Sequence, residues 1–168
     1  MLSAKAKAET AAERVSPLKV LSSSAHGSAP DALLVHEIYT SVQGESTWAG
    51  VPCTFIRLTG CHLRCTWCDT EHSFHKGDVR SIDDVVAAVS AIGVPVVEVT
   101  GGEPLLQTAT AALLTRLADA GFTVLVETSG AVSIEGLDAR AHLIVDVKLP
   151  GSGEWPRHRW SNLPLLKP

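Results

Sequence analysis

The chain has 168 residues, of which 45% are hydrophobic, so its length suits one domain with an apolar core. A formal net charge of −4 gives no basic surface for nucleic acid. No apolar run reaches the ~18 residues of a membrane span, and the N-terminus shows no secretory hydrophobic segment. Three of the four cysteines lie in one short stretch, which argues against a disulfide framework and favours a reducing cytoplasm.

The N-terminal third begins with a segment that predicts disorder. Residues 1–32 are rich in Ala, Ser and Lys and carry no hydrophobic stripe. The ordered domain is therefore expected over residues 33–168, beginning with a short strand at 33–39 and a polar stretch at 40–46. The β-branched and aromatic run Val51–Leu58 predicts the first core strand, in which Cys53 is expected to be a plain buried residue.

Two helices and three further strands follow. Ser81, with Asp84 as its capping partner, predicts the start of the first helix, and Gly93 predicts its end. A second helix is expected from Pro104 to about residue 120, capped by Gly121. The remaining predictions are strands at 94–100, 122–127 and 142–148, a helical turn at 133–137, and a loop without further strand or helix after residue 148.

Alternation of strands and helices is typical of an α/β fold with a parallel sheet. Polar residues follow each of the four predicted core strands, at 61–70, 100–103, 127–129 and 146–148. Because the carboxyl ends of parallel strands share one edge, these segments are expected to form a site along a single rim.

A short segment within that rim holds three cysteines, Cys61, Cys65 and Cys68, at C-x3-C-x2-C spacing. Three thiolates can hold three irons of a cubane iron–sulfur cluster. The fourth iron would then lack a protein ligand, and an open coordination position is a property of catalytic metal sites. The open alternative is a zinc site completed by a histidine, for which the candidates are His62, His72 and His75.

The spacing, with Trp67 just before the last cysteine, resembles the signature of radical S-adenosylmethionine (SAM) enzymes. That resemblance implies that the open iron is chelated by the methionine part of SAM. The stretch Gly101-Gly102-Glu103-Pro104 is similar to the segment that binds the methionine amino group in that family. Its plain alternative is an ordinary turn in which Glu103 caps a helix.

Further segments resemble 7-carboxy-7-deazaguanine synthases, which are small radical SAM enzymes of the 7-deazapurine (queuosine) pathway. The resemblance rests on the ordered set Ile38–Ser46, Ala49–Pro52, Phe55–Cys61, Cys68–Thr70 and Val145–Gly153. It implies a partial βα barrel and a carbon–nitrogen lyase. The implied reaction converts 6-carboxy-5,6,7,8-tetrahydropterin to 7-carboxy-7-deazaguanine with loss of ammonia.

The resemblance also implies residue roles. The residues that match SAM contacts are Trp67, Cys68, Asp69, Gly102, Glu103, Glu127, Ser129, Asp146 and Lys148. Those that match substrate contacts are Val42, Gln43, Gly44, Arg57 and Thr100. Thr70 matches a magnesium ligand. Plain alternatives remain open: a polar strand end at 127–129, an ion pair between Asp146 and Lys148, a solvated Arg57, and a helix cap at Thr70.

The cofactors implied are a 4Fe–4S cluster, SAM and Mg²⁺, with no catalytic side chain because the radical chemistry belongs to the cofactors. The implied partners are a flavodoxin- or ferredoxin-like reductant and a second copy of the chain in a homodimer. The family fold has about six parallel strands where four are counted here, so the chain is expected to lack C-terminal strands. Two rivals stay open: an activase that generates a glycyl radical on a partner protein, and a non-enzymatic zinc-binding module.

Overall fold

The computed structural model describes residues 31–166, which form one six-stranded sheet in the order β3-β1-β2-β4-β5-β6. The strands are β1 (Ala32–Val42), β2 (Pro52–Leu58), β3 (Asp78–Ser81), β4 (Val96–Gly101), β5 (Thr123–Thr128) and β6 (His142–Val145). The predicted disordered extension lies outside the described residues except for its last two positions, and Ala32 already belongs to β1.

The strands are parallel in one half of the sheet and antiparallel in the other half. Strands β2, β4, β5 and β6 run parallel, which confirms the four predicted core strands. Strand β1 is antiparallel to both β2 and β3. The predicted first strand at 33–39 is confirmed but is longer than expected, because Thr40–Val42 continue β1 by pairing with the start of β2. Strand β3 was not predicted, since its four residues are polar or exposed and only pairing with β1 defines them as a strand.

Both helices pack on one face of the sheet. Helix α1 (Ile82–Ile92) begins as predicted: Ser81 Oγ accepts the Asp84 N–H, and Gly93 ends the helix at φ 77°. The second helix begins later than predicted, because α2 spans Thr110–Asp119. The residues before it form a 3₁₀ turn, Pro104–Leu106, in which the Glu103 carboxylate accepts the Leu105 N–H. A local capping contact therefore replaces the first predicted helical turns.

Alternation along the strands divides the apolar residues between the two faces. The main core lies between the sheet and the helices and includes Ile56, Val97, Val99, Val124, Val126, Val85, Val89, Leu113 and Leu117. The opposite face carries a smaller cluster made by Cys53, Phe55, Val96 and Leu125. Cys53 is completely buried, as predicted, and burial raises the pKa of its thiol to about 12.

The turn expected at 133–137 is present, closed by the Leu137 N–H and the Ile134 carbonyl. The C-terminal part otherwise differs from prediction in two ways. Strand β6 ends at Val145, three residues early. The segment after Lys148 contains three short 3₁₀ helices, Pro150–Ser152, Trp155–Arg157 and Trp160–Leu165, where only loop was expected. Within residues 31–166, no helix is both long enough and apolar enough to cross a bilayer.

Candidate active site

A cleft of about 380 Å³ opens where the parallel strands end. The residues around it come from the segments after β2, β4, β5 and β6, which confirms the prediction that these four polar segments meet at one rim. Its lining is Glu45, Arg57, Cys61, Leu63, Cys65, Trp67, Cys68, Asp69, Thr70, Phe74, Thr100, Gly101, Gly102, Glu127, Thr128, Ser129, Asp146 and Lys148.

Strand alternation brings polar side chains to the sheet face that the helices leave free. Ile56, Val99 and Val126 point into the helix-covered core. Their neighbours Arg57, Thr100 and Glu127 therefore point to the opposite face, where they line the cleft. The Thr100 hydroxyl donates to Glu127 Oε2 over 2.9 Å, which joins two adjacent strands at the cleft floor.

All three predicted cluster cysteines line the cleft. Three thiolates on one tetrahedral zinc would lie about 3.8 Å apart, given Zn–S bonds of about 2.3 Å. Within residues 31–166, the ligand-atom groups whose members all lie within 4.8 Å of one another do not include these sulfurs. As placed, the three sulfurs do not all lie close enough together to bind a single zinc ion. The proposed histidine partner His62 has a buried Nδ1 without a hydrogen-bond partner in the described chain.

Burial disfavours the free thiolate form of two of these cysteines. Cys61 is 7% exposed, and burial raises the pKa of its thiol to about 11. Burial also raises the pKa of Cys65. Coordination to iron offsets this cost, because a thiol that binds a metal is deprotonated by it.

The segment after β6 holds the cysteine loop in place, a feature that sequence reasoning missed. Thr66 donates its N–H to the Ser152 carbonyl over 3.1 Å and its hydroxyl to the Gly151 carbonyl over 2.9 Å. Arg64 donates its N–H to Glu154 Oε1 over 2.7 Å. A Cβ at Gly151 would lie 3.0 Å from the Trp67 ring. The glycine thus lets the Trp67 ring approach the backbone closely.

Carboxylates outnumber cations in the cleft. Glu45, Asp69, Glu127 and Asp146 line it together with only two cations, Arg57 and Lys148. The Glu127 carboxylate, more than burial, raises the pKa of Glu45, and Asp146 adds to the effect. Such a cleft favours a cationic ligand, and SAM carries both a sulfonium and an ammonium group.

Most predicted cofactor contacts reach the cleft, but some predicted residues do not. Trp67, Cys68, Asp69, Gly102, Glu127, Ser129, Asp146, Lys148, Arg57, Thr100 and Thr70 all line it. Val42 is 58% exposed and lies outside it. Gln43 and Gly44 are also absent from its lining, whereas their neighbour Glu45 is present.

Glu103 lies beneath the cleft wall rather than in the cleft. It is 1% exposed, and its carboxylate accepts hydrogen bonds from the Thr128 hydroxyl, from the Ser129 N–H and from the Ser129 hydroxyl. Together with the Leu105 N–H, these donors occupy both oxygens. In this structure Glu103 joins the end of β4 to the end of β5.

Glu98 is the buried acid that sequence reasoning missed. It is 1% exposed on the cleft-side face of β4. The Gln43 amide donates to its Oε2, while Gln43 Oε1 accepts the Glu45 N–H over 2.9 Å. Gln43 thereby holds Glu45 at the cleft. A charged residue in the middle of a buried strand was the available signal.

Arg57 is not a solvated strand residue, because its side chain is 14% exposed. Its Nε donates to Glu37 Oε1 over 2.8 Å, and one Nη donates to the Tyr39 hydroxyl over 2.7 Å. These contacts hold the planar guanidinium at the cleft wall with its other Nη available to a ligand. An anchored guanidinium suits bidentate recognition of a carboxylate.

The ends of the cysteine loop and of β6 carry two further polar pairs. Thr70 stands at the N-cap of a 3₁₀ turn, but its side chain makes no capping bond. Its hydroxyl donates instead to Asp69 Oδ1 over 2.7 Å, which places two oxygens together at the cleft. Asp146 and Lys148 form an ion pair within the lining.

A profile of the Radical SAM superfamily matches residues 55–147, which is more than half of the chain and includes the cysteine loop and the cleft floor. The chain belongs to this superfamily. Membership implies a 4Fe–4S cluster and SAM, and the three cysteines and the acidic cleft fit both groups.

Two relatives with assigned activities share one name, which is more specific than the superfamily. The chain is 44% identical over 133 residues to the 7-carboxy-7-deazaguanine synthase of Chlorobaculum tepidum and covers 60% of it. It is 46% identical over 136 residues to the synthase of the same name from Koribacter versatilis, again over 60% of that protein. These matches span 79% and 80% of this chain. The chain thus spans about three fifths of the length of these relatives.

Solved structures give a consistent result. The crystal structure of QueE from Escherichia coli superimposes with a TM-score of 0.65 at 29% sequence identity. The match covers 70% of this chain and 60% of that one. The predicted partial barrel agrees with this likeness, with the qualification that one side of the sheet is antiparallel.

Proposed function

We propose that this chain carries the cofactor and substrate cleft of a 7-carboxy-7-deazaguanine synthase. The reaction converts 6-carboxy-5,6,7,8-tetrahydropterin to 7-carboxy-7-deazaguanine with loss of ammonia. The observation that carries the proposal is the meeting of three cysteine thiols and an anchored arginine in one acidic cleft. The names of the relatives supply the substrate class.

Cys61, Cys65 and Cys68 would hold the cluster, and the backbone around Gly102 and Ser129 would form the wall against SAM. When bound, the two cofactors would supply the radical chemistry of the reaction. The segment around Gly151 packs against the cysteine loop through Thr66 and Trp67.

Arg57 orients the substrate through its carboxylate. Glu37 and the Tyr39 hydroxyl fix the guanidinium before the substrate arrives, so little side-chain entropy is lost on binding. The hydroxyl of Thr100 is held by Glu127 at the cleft floor, where it offers a second polar contact.

Thr70 contributes an oxygen to Mg²⁺, which retains water molecules and takes further oxygens from its substrate in many sites. Asp69 lies next to the hydroxyl and supplies the negative charge that favours a hard cation. The remaining components of the proposal are a cytoplasmic flavodoxin- or ferredoxin-like reductant, a homodimer and a role in queuosine biosynthesis.

The test is anaerobic incubation of the reconstituted protein with the carboxypterin, SAM, Mg²⁺ and a chemical reductant. 7-Carboxy-7-deazaguanine is expected by chromatography without stoichiometric consumption of SAM, because loss of ammonia alone balances the conversion. Arg57→Ala should raise KM for the pterin at least tenfold, since it removes a charged hydrogen-bond partner of the carboxylate. Arg116→Ala, at an exposed position of α2, is the matched control. Formation of 5′-deoxyadenosine from SAM with no deazaguanine would retain the radical chemistry and overturn the substrate.

Magnesium dependence has its own comparison. Thr70→Val should raise the Mg²⁺ concentration needed for half-maximal rate, and Thr70→Ser should restore it because the hydroxyl returns. Equal Mg²⁺ dependence of Thr70→Val and the unchanged protein would remove Thr70 from the magnesium site.

A further inference from the structure

Two imidazoles and a carboxylate meet outside the cleft. The ligand atoms of His36, Glu37 and His72 all lie within 4.8 Å of one another. The His36 and His72 ring centroids are 5.2 Å apart, and His72 Nε2 lies 3.9 Å from Glu37 Oε1. None of the three lines the cleft or belongs to the predicted cluster, SAM, substrate or magnesium ligands.

A β-bulge brings the first two residues to one side. Adjacent residues of a regular strand point to opposite faces, so consecutive side chains do not share a ligand. Here Val35 pairs with Leu58 and Glu37 pairs with Arg57, while His36 has no partner in the register. His36 is the extra residue of the bulge, and a bulge changes the direction in which such a side chain points. His72 then approaches from the 3₁₀ turn that follows the cysteine loop.

Hydrogen bonds around the cluster resemble the outer shell of a metal site. His36 Nδ1 lies 3.4 Å from the Lys76 carbonyl oxygen, and a proton held there leaves Nε2 with a free lone pair. Arg57 Nε donates to Glu37 Oε1 and fixes the carboxylate. Histidine ligands to metals are commonly oriented through their second nitrogen in this way, and ligating carboxylates are hydrogen-bonded in turn.

We propose that His36, Glu37 and His72 bind a divalent transition metal, with Zn²⁺ as the best match, at a site separate from the iron–sulfur cluster. Two imidazole nitrogens and one carboxylate form a ligand set that suits borderline metals such as zinc, with water in the open position. Glu37 and His72 are 41% and 54% exposed at their side chains, so the ion can enter from solvent. Arg57 shares the Glu37 carboxylate, which makes the bound ion exchangeable. The inference does not depend on the proposed reaction.

The experiment is calorimetric titration of the anaerobically reconstituted protein with ZnCl₂, because the assembled cluster keeps the three cysteines occupied. The unchanged protein should bind one Zn²⁺ per chain. His36→Ala and His72→Ala should each weaken binding at least tenfold. His75→Ala is the matched control, since it lies three residues from His72 on the same loop but outside the group, and it should bind like the unchanged protein.

Two further measurements determine whether the ion binds at the histidines or at the cysteines. Iron and sulfide content, measured before and after titration, should stay constant. Co²⁺ used as a probe should give d–d bands without thiolate charge-transfer absorption. The proposal is overturned by absence of saturable zinc binding, by equal weakening in His75→Ala, by loss of iron on zinc uptake, or by thiolate bands in the cobalt spectrum.

Discussion

Two glutamates, Glu98 within β4 and Glu103 just after it, are each 1% exposed, yet their surroundings differ. Glu103 accepts two backbone N–H groups and two hydroxyls, from Leu105, Thr128 and Ser129. Glu98 accepts one amide, from Gln43. Burial raises the pKa of Glu98 to about 8, with the nearby Glu127 carboxylate as the next cause.

The comparison shows that the number of hydrogen-bond donors, more than the degree of burial, decides how a carboxyl group is accommodated in the core. A carboxylate that accepts several hydrogen bonds can remain charged, whereas one that lacks donors favours its neutral form. Glu103 therefore acts as a structural tie between strand ends. Glu98 holds the Gln43 amide and, while protonated, can sit beside Glu127 without repulsion.

The largest expected loss of stability follows from removing Glu103, which accepts more hydrogen bonds than Glu98. Glu103→Ala leaves the buried donors of Leu105, Thr128 and Ser129 without their acceptor, which should lower the free energy of unfolding by about 3–4 kcal/mol. Urea unfolding measures it. Glu135→Ala, at an exposed position, is the control. A loss below about 1 kcal/mol would contradict the structural role assigned to Glu103.

The glycine just before Glu103 should be the next most sensitive position. A Cβ at Gly102 would lie 2.5 Å from Cys61 Cβ and 2.6 Å from the Gly60 carbonyl oxygen. Gly102→Ala should destabilise the fold by about 1–3 kcal/mol through overpacking and lower the iron and sulfide content after reconstitution. Gly44→Ala is the matched control, because a Cβ there meets nothing within 4 Å. Full iron loading of Gly102→Ala would show that the cysteine loop tolerates displacement.

Glu98 accepts fewer hydrogen bonds than Glu103, and Glu98→Gln tests its contribution to the pH dependence of stability. The folded-state pKa is raised from 4.5 to about 8, so the unfolded chain loses this proton first and stability falls as pH rises between those values. The variant lacks this loss and should be more stable than the unchanged protein by about 1–2 kcal/mol at pH 8, with little difference at pH 4.5. Cys53 also faces Glu98, but its pKa of about 12 keeps it outside the window. Parallel stability–pH curves for the two proteins would refute the raised pKa.

An exposed ion pair should matter least. Arg116 and Asp83 connect α2 to α1, with side chains 52% and 73% exposed. Solvent screens such pairs, so Asp83→Asn should change stability by about 0.5 kcal/mol or less, and 0.5 M salt should reduce the difference further. A loss comparable with that of Glu103→Ala would mean that exposed and buried charges are not separated here as argued.

Local signals predicted much of the framework. Ser81 and Gly93 bound α1 as expected because caps act within one turn of the chain. The apolar runs gave the four parallel strands, and the topology of parallel strands then placed the cysteine loop and three later polar segments on one rim. The prediction that a helix begins at Pro104 was wrong, because a hydrogen bond to Glu103 stabilises a 3₁₀ turn there.

The sequence by itself determined the cysteine spacing, the order of strands and helices and the candidate cluster ligands, since each depends on residues close together in the chain. Only the tertiary structure decided that Glu103 joins two strands, that Glu98 lies beside Gln43 and Glu127, that Ser152 and Glu154 hold the cysteine loop, and that His36 meets His72. Those contacts join residues 25 to 90 positions apart. No local pattern encodes them, because pairing across the sheet and one bulge in β1 bring them together.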